Sequence, residues 1–296
     1  MRRSALAVAS AALAAVLAGT ASADVRGPKP SYSDRALSDV PHAAEMTDRI
    51  WVPGLGEGYV PQGLTYIDGA IYLGTYRSED PKQGRGPCRI YRVDPGGAVT
   101  GVLDLPPECG HAGGLAKGKP GQLWVADTRA VFEIALAPRG EREIGGVLRS
   151  IRLAGDLKGS FAAGTSDSLW LGTYSNEPGA KLYKLPFARL TSGIDTLSEQ
   201  DASSAVALPT KAQGAAFDPA GRLWITRSGS QLGELLTLDP ATGAVMQQLN
   251  MPAGIEDISF DPKGGLWAVS EAGSKRWIGW TTYFPLIFRL QPGLLR

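Results

Sequence analysis

Five polar residues recur at one position in this chain. Gln62, His111, Ser160, Gln213 and Glu256 each stand at or just before the start of a short, small-residue apolar segment. A second polar set follows the aromatic segment that comes next, and includes Tyr76, Arg77, Asp127, Arg129, Tyr174, Asn176, Arg227, Ser270 and Glu271. One imidazole beside carboxylates can move protons or hold a cation. His111 and Glu256 are therefore both the catalytic and the metal-ligating candidates, for one divalent cation (calcium, magnesium or zinc). Gln62, Arg77, Asp127, Arg129, Tyr174, Gln213, Arg227 and Glu271 are the ligand-binding candidates. The three arginines suit an anionic or carboxylate-bearing ligand. Simpler readings stand beside these: a histidine that bonds a loop carbonyl, and arginines that are solvated rim charge. Glu256 and Asp257 are adjacent, so a regular strand sends them to opposite sides. Glu256 aligns with Gln62 and Gln213 and is expected to face the ligand, leaving Asp257 to bond a neighbouring element.

These positions are set by a repeat. "QGLTYIDGAIYLGTY", "GGLAKGKPGQLWVAD", "SFAAGTSDSLWLGTY", "QGAAFDPAGRLWITR" and "EDISFDPKGGLWAVS" share one pattern, with Tyr72, Trp124, Trp170, Trp224 and Trp267 at the same place. The spacings are 52, 46, 54 and 43 residues, near the period of four-stranded propeller blades. Each unit reads as an apolar strand, a tight turn and an aromatic-bearing strand. A variable loop, a third alternating strand such as "AKLYKLP" and an edge strand such as "VMQQLNMP" follow. The fifth unit runs out after its third strand. The segment "MTDRIWVPGLGEG" from Met46 resembles the missing edge strand. The expected fold is an all-β, five-bladed β-propeller, with six blades as the alternative, closed by the N-terminal strand completing the last blade. The recurring aromatics then pack blade on blade. Residues before each first strand and after each second strand crowd one mouth of the central channel, where loops on a rigid frame carry function. The long segment Ser270–Phe284, with Trp277, Trp280 and Tyr283, either walls this mouth or packs on the N-terminal leader.

The first residues are outside this pattern. Arg2 and Arg3, an apolar run from Ala5 to Leu17 and Ala21-Ser22-Ala23 read as a signal peptide over 1–23,. A leader then spans 24–45 and a single propeller domain 46–296. The expected protein is secreted, extracellular or periplasmic, with no membrane span. The whole chain carries 30 basic and 29 acidic residues, and without Arg2 and Arg3 the balance is −1. Such a chain has no electrostatic footprint for nucleic acid. Cys88 and Cys109 are the only cysteines. In an exported chain an isolated pair reads as a disulfide, with two free thiols as the alternative. It would tie the loop Arg77–Pro87 to the loop carrying His111.

The motifs "FDPAGRLW" and "FDPKGGLW" resemble those of the propeller group that includes gluconolactonases, senescence marker proteins, virginiamycin B lyase and NHL-type modules. That resemblance implies a divalent metal in the central channel, with matching residues at Glu256 and His111. The opening blade, "VPQGLTYIDGAIYLGTYRSEDPKQGRGPCRIYRVD", is similar to that of plant-type glutaminyl cyclases, which carry an acidic residue where Gly74 and Thr75 stand here. No G-x-S-x-G elbow, phosphate loop or dinucleotide fingerprint is present,. The expected function is a metal-assisted, lactonase-like hydrolase or a lyase acting at the channel mouth on a small-molecule or peptide ligand. The alternative is a non-catalytic ligand- or protein-binding propeller. A monomer is expected.

Overall fold

The computed structural model describes residues 24–138, 140–191 and 193–295. The signal peptide expected at 1–23 lies outside the described residues. Five antiparallel sheets, each with its strands in meander order, form the five blades of a propeller. The first blade runs Tyr59–Ile67, Ala70–Arg77, Cys88–Val93 and Val99–Asp104 from the axis outward. The second is Gly114–Lys117, Gln122–Asp127, Ala130–Leu136 and Gly145–Leu153, with Thr196–Leu197 added in parallel at its edge. The third comprises Phe161–Gly164, Ser168–Gly172, Lys181–Pro186 and Ser204–Ala207. The fourth comprises Ala212–Phe217, Leu223–Gly229, Leu232–Leu238 and Val245–Asn250.

The fifth blade has Ile255–Phe260, Leu266–Ser270 and Leu286–Leu290 from the C-terminal end of the chain and Met46–Trp51 from the N-terminal end. Arg49 opposes Phe288 and Ile50 opposes Ile287 in that antiparallel register. The ring is therefore closed by hydrogen bonds between the two ends of the fold, which cover the outer edge of Leu286–Leu290,. Of the two ring sizes the sequence allows, the structure has five blades.

The repeat motif explains both the turn and the packing. In the fourth blade Asp218 Oδ1 accepts the backbone N–H groups of Ala220 and Arg222, each at 2.9 Å, and Gly221 supplies the left-handed residue (φ 82°),. The other oxygen, Oδ2, accepts Trp224 Nε1–H at 3.1 Å. Asp261 shapes the same turn in the fifth blade through the N–H groups of Lys263 and Gly265. Each repeat aromatic is buried in the interface with the following blade. Tyr72 packs with Leu115 and Phe132, Trp124 with Leu169 and Tyr183, and Trp170 with Leu223 and Leu236. Trp224 packs with Leu266 and Phe288, and Trp267 with Leu64 and Leu73 across the closure. Five interfaces thus hold five apolar clusters, and the Trp residues are architecture.

The leader is part of this frame. Val25–Arg26 adds a parallel strand outside Met46–Trp51. Arg35 then donates to the carbonyls of Ile278, Trp280 and Thr281 at 2.9, 3.0 and 2.6 Å, and its guanidinium lies 5.2 Å from the centre of the Tyr283 ring. Tyr283, which the sequence allowed either at the channel mouth or under the leader, is fully buried beneath the leader. Cys88 and Cys109 form a disulfide with Cα atoms 5.8 Å apart. It joins the third strand of the first blade to the segment that carries His111. No helix of the described residues is long and apolar enough to cross a membrane.

Candidate active site

Three innermost strands begin with the same irregularity. In the first blade the register jumps between the pairs Pro61–Thr75 and Leu64–Leu73; in the fourth, between Ala212–Arg227 and Gly214–Thr226. In the fifth it jumps between Ile255–Ser270 and Ile258–Ala268. Each is a β-bulge, an extra residue that breaks the two-residue alternation and re-aims side chains. The extra residues are at Gln62-Gly63, Gln213 and Glu256-Asp257. Glycine follows glutamine in the first two because the strands crowd the axis: a Cβ on Gly63 would lie 2.6 Å from Leu115 Cδ1, and one on Gly214 would lie 2.6 Å from Asp257 Cα.

The fifth bulge corrects the expectation that Glu256 and Asp257 divide between opposite sides. The broken alternation sends both inward. Asp257 is fully buried. Its Oδ2 accepts the N–H groups of Leu64 and Leu115 at 3.0 and 3.1 Å, and its Oδ1 that of Ile258 at 3.0 Å. Ala215 of the fourth blade donates a further backbone bond. One carboxylate thereby ties four of the five innermost strands together, so it does bond its neighbours, but from the axis. Burial raises its pKa and these backbone donors oppose the rise,.

Above Asp257 opens a cavity of about 370 Å³ lined by Gln62, His111, Ser160, Tyr174, Gln213 and Glu271 among others. Glu256 is buried directly behind this lining, hydrogen-bonded to Glu271 and, at 3.4 Å, to Gln213 Nε2. Glu271 Oε2 accepts Trp277 Nε1–H at 2.7 Å and Gln62 Nε2–H at 2.9 Å. Gln62 Oε1 in turn lies 2.7 Å from His111 Nε2, and His111 Nδ1 lies 3.0 Å from the Gly84 carbonyl. Both oxygens can only accept, so the ring nitrogen that carries hydrogen decides which of the two contacts is a hydrogen bond,. A continuous polar chain therefore runs from Glu256 through Glu271 and Gln62 to His111. The His111 ring is also stacked on Tyr76, centroids 4.5 Å apart.

Electrostatics here follow from two carboxyl groups in one buried place. Desolvation pushes Glu271 up to about 7, opposed by the hydrogen bonds from Trp277, Glu256 and Gln62. Desolvation and the adjacent Glu271 and Asp257 charges hold Glu256 well above the ordinary carboxyl range. The pair as a unit therefore favours retaining a proton near neutrality,. Burial lowers the pKa of His111, against the Gly84 bond and the Asp127 charge.

The other candidates lie elsewhere. Asp127 does not line the cavity; its Oδ1 accepts the N–H groups of Gly110, His111 and Ala112 at 3.3, 2.7 and 3.3 Å, which fixes the loop that presents His111. Arg227 sits within its strand and faces Glu234, with Nη1 2.6 Å from Oε2 and Nε donating to the Thr210 carbonyl. The second strand of that blade runs on to Gly229, so Arg227 is held on the sheet rather than released at the mouth. Arg77 ends its strand exposed, and Arg129 is exposed with a long contact to the Gly155 carbonyl. Two other cations line the cavity, Arg276 and Lys158. Arg276 bonds the Tyr76 hydroxyl and lies 4.2 Å from the centre of the Trp277 ring. Neither followed from the repeat, since both come from loops between its strands; only the aromatic richness of Ser270–Phe284 pointed to Trp277.

The donor set fits a shared proton better than a divalent ion. Both His111 nitrogens lie against oxygen atoms, and His111 and Glu256 are separated by Gln62 and Glu271. Among the described residues, the one trio of metal-type ligands within mutual reach is Cys88, Cys109 and Asp127, whose sulfurs form the disulfide.

No family model matches this sequence, and no curated protein does. Among solved structures, the glutaminyl cyclase of Myxococcus xanthus overlays with a TM-score of 0.57 at 14% identity, covering 83% of this chain and 94% of that one. The likeness is one of fold. A luciferin-regenerating enzyme overlays more loosely, with a TM-score of 0.46 at 13% identity over 78% of this chain and 91% of that one. A gluconolactonase from Xanthomonas campestris gives 0.41 at 16% over 72% and 70%.

Proposed function

We propose that this protein is an exported, metal-independent acid–base enzyme that closes the N-terminal glutamine of a peptide into a lactam. The observation that carries the reading is the buried, hydrogen-bonded Glu256–Glu271 pair at the cavity, Glu271 lining it and pushed up to about 7 and Glu256 behind it held well above the ordinary carboxyl range. A free α-amine has a pKa of roughly 7.7–8.0, so such a carboxylate is matched to it within about a unit. Glu271 takes a proton from the amine as its nitrogen bonds to the side-chain amide carbon. Glu256 gives a proton to the departing ammonia. One C–N bond forms and one breaks, and the pair returns to a single-proton state when Glu271 passes its proton to Glu256. Gln62 and Trp277 orient Glu271 for this. Arg276 and Lys158, which line the same cavity, would offset the charge that the amide oxygen gains,.

A fold neighbour, 94% of whose chain is covered, is a glutaminyl cyclase, which supports the choice of reaction. Gly74 and Thr75 replace the acid expected there from the sequence resemblance, and Glu271 supplies a carboxyl from the fifth blade instead. Lactone hydrolysis would use the same base on water. The disulfide accords with an oxidising compartment,.

The test is ammonia release and product mass with glutamine-initiated peptides and a lactone panel, in the presence of a chelator. Cyclisation is expected without added metal, and Glu271→Gln should lower kcat by about 100-fold or more. Failure of every glutaminyl peptide to release ammonia overturns the reading; lactone turnover restored only by a cation would replace it with the metal-assisted hydrolase.

A further inference from the structure

The axial cavity is not closed on all sides. A second cavity of about 290 Å³ lies over the second and third blades and shares two lining residues with it, Lys158 and Tyr174. The Tyr174 hydroxyl donates to Asn176 Oδ1 at 2.9 Å, and Tyr174 lies within electrostatic reach of the Glu256–Glu271 pair. It therefore marks the passage between the acid pair and the outer cavity. Two lysines, Lys158 and Lys181, line the outer cavity against one acid, Asp156, which faces Tyr183. Neither lysine is ion-paired among the described residues. Unneutralised cations at the wall of a depression raise the local concentration of anionic groups.

We infer that this outer cavity is a second subsite, which receives the residues following the N-terminal one and favours acidic side chains there. The inference rests on the peptide reading of the axial cavity. An extended chain advances about 3.3 Å per residue, so a substrate anchored at the acid pair brings its second and third side chains past Tyr174 and Lys158. The anion preference that the sequence placed on Arg77, Arg129 and Arg227 is thus moved to Lys158 and Lys181 over the second and third blades.

The experiment is calorimetric binding of three probes to the whole protein, with ammonia release followed in parallel. The probes are glutaminamide, Gln-Glu-Glu-Ala and Gln-Lys-Lys-Ala. The acidic peptide should bind at least about fivefold more tightly than the basic one, as expected from one or two exposed charge pairs. K158E/K181E should erase or invert that ratio. Should the double variant misfold, salt serves instead: raising ionic strength should weaken the acidic peptide and leave glutaminamide nearly unchanged. Equal affinities for the two peptides, a ratio insensitive to both charge reversal and salt, or no peptide binding overturn the subsite. Selective binding without ammonia release leaves the subsite standing and overturns the cyclisation chemistry.

Discussion

Glu256 and Glu271 meet across the two inner strands of one blade, hydrogen-bonded to each other and both buried, and that burial favours a proton shared between them. Two ionised carboxylates in that place would repel without solvent to screen them. The proton gives the pair an acid and a base at once, and it also links stability to pH.

The direction follows from the raised pKa. Glu271 holds its proton in the folded protein up to about 7, whereas its ordinary value is 4.5. Between those values the folded state binds more protons than the unfolded one, so stability falls as pH rises. The stabilising contribution is complete below about 4.5 and is lost once pH passes about 7. Its size is on the order of 3 kcal/mol, and Glu256 acts in the same direction. Urea denaturation at pH 5 and pH 8 should therefore show a steeper loss in the wild type than in Glu271→Gln. Identical pH slopes in the two proteins would contradict the buried, shared-proton pair.

Asp257 gives a different kind of prediction, because its oxygens are occupied by backbone donors from four strands. Asparagine keeps the shape but replaces one acceptor oxygen with an NH2 group that faces N–H donors. Asp257→Asn should cost about 2 kcal/mol or more, the scale of buried donors left without acceptors. The loss should appear as a lower denaturation midpoint with an unchanged denaturant slope. A wild-type midpoint would show that this carboxylate does not hold the axis together.

Close approach at the bulges is testable with a single methyl group. Gly214→Ala would place its Cβ 2.6 Å from Asp257 Cα and 2.7 Å from the Glu256 carbonyl oxygen. Backbone must move to admit it, at a cost of roughly 1–3 kcal/mol. Gly279→Ala meets nothing within 4 Å and should be nearly neutral. Thermal melts of the two variants compare them directly, and equal Tm values would mean that the innermost strands are looser than described.

Much of this molecule was legible in the sequence, and the division between legible and illegible parts has a physical basis. The Asp-Pro turn and the aromatic after it recur because every blade must pack on the next, so the repeat announced the propeller and the closing strand. Gln62, His111, Gln213 and Glu256 were expected together because the start of each innermost strand must lie at the channel, and the first three line the cavity there. Asp257 was placed on the wrong side because alternation is a rule for regular strands, and a one-residue bulge leaves no mark in composition. Arg227 was expected at the mouth because the extent of a second strand is not fixed by the repeat; Leu223–Gly229 continues past it. Lys158 and Arg276 were missed because they lie in connections that differ between blades, where only three-dimensional closure brings them together.

The leader supplies the last prediction. Arg35 fastens residues 24–45 to three carbonyls in the segment that follows Glu271 and includes Trp277. That segment carries the wall of the axial cavity, so the N-terminal strap acts on the site without touching substrate. Arg35→Ala removes all three bonds and the contact with Tyr283. The global fold should survive, because Met46–Trp51 still completes the fifth blade. The expected outcome is local: amide hydrogen exchange should speed up over residues 276–284 while the strands Leu266–Ser270 and Leu286–Leu290 stay protected. Under the proposed chemistry, KM should rise more than kcat falls, since Glu256 is on a strand and Glu271 directly follows one, while Trp277 and Arg276 gain freedom. Unchanged exchange in 276–284 would show that the strap merely covers a segment already held by the blade.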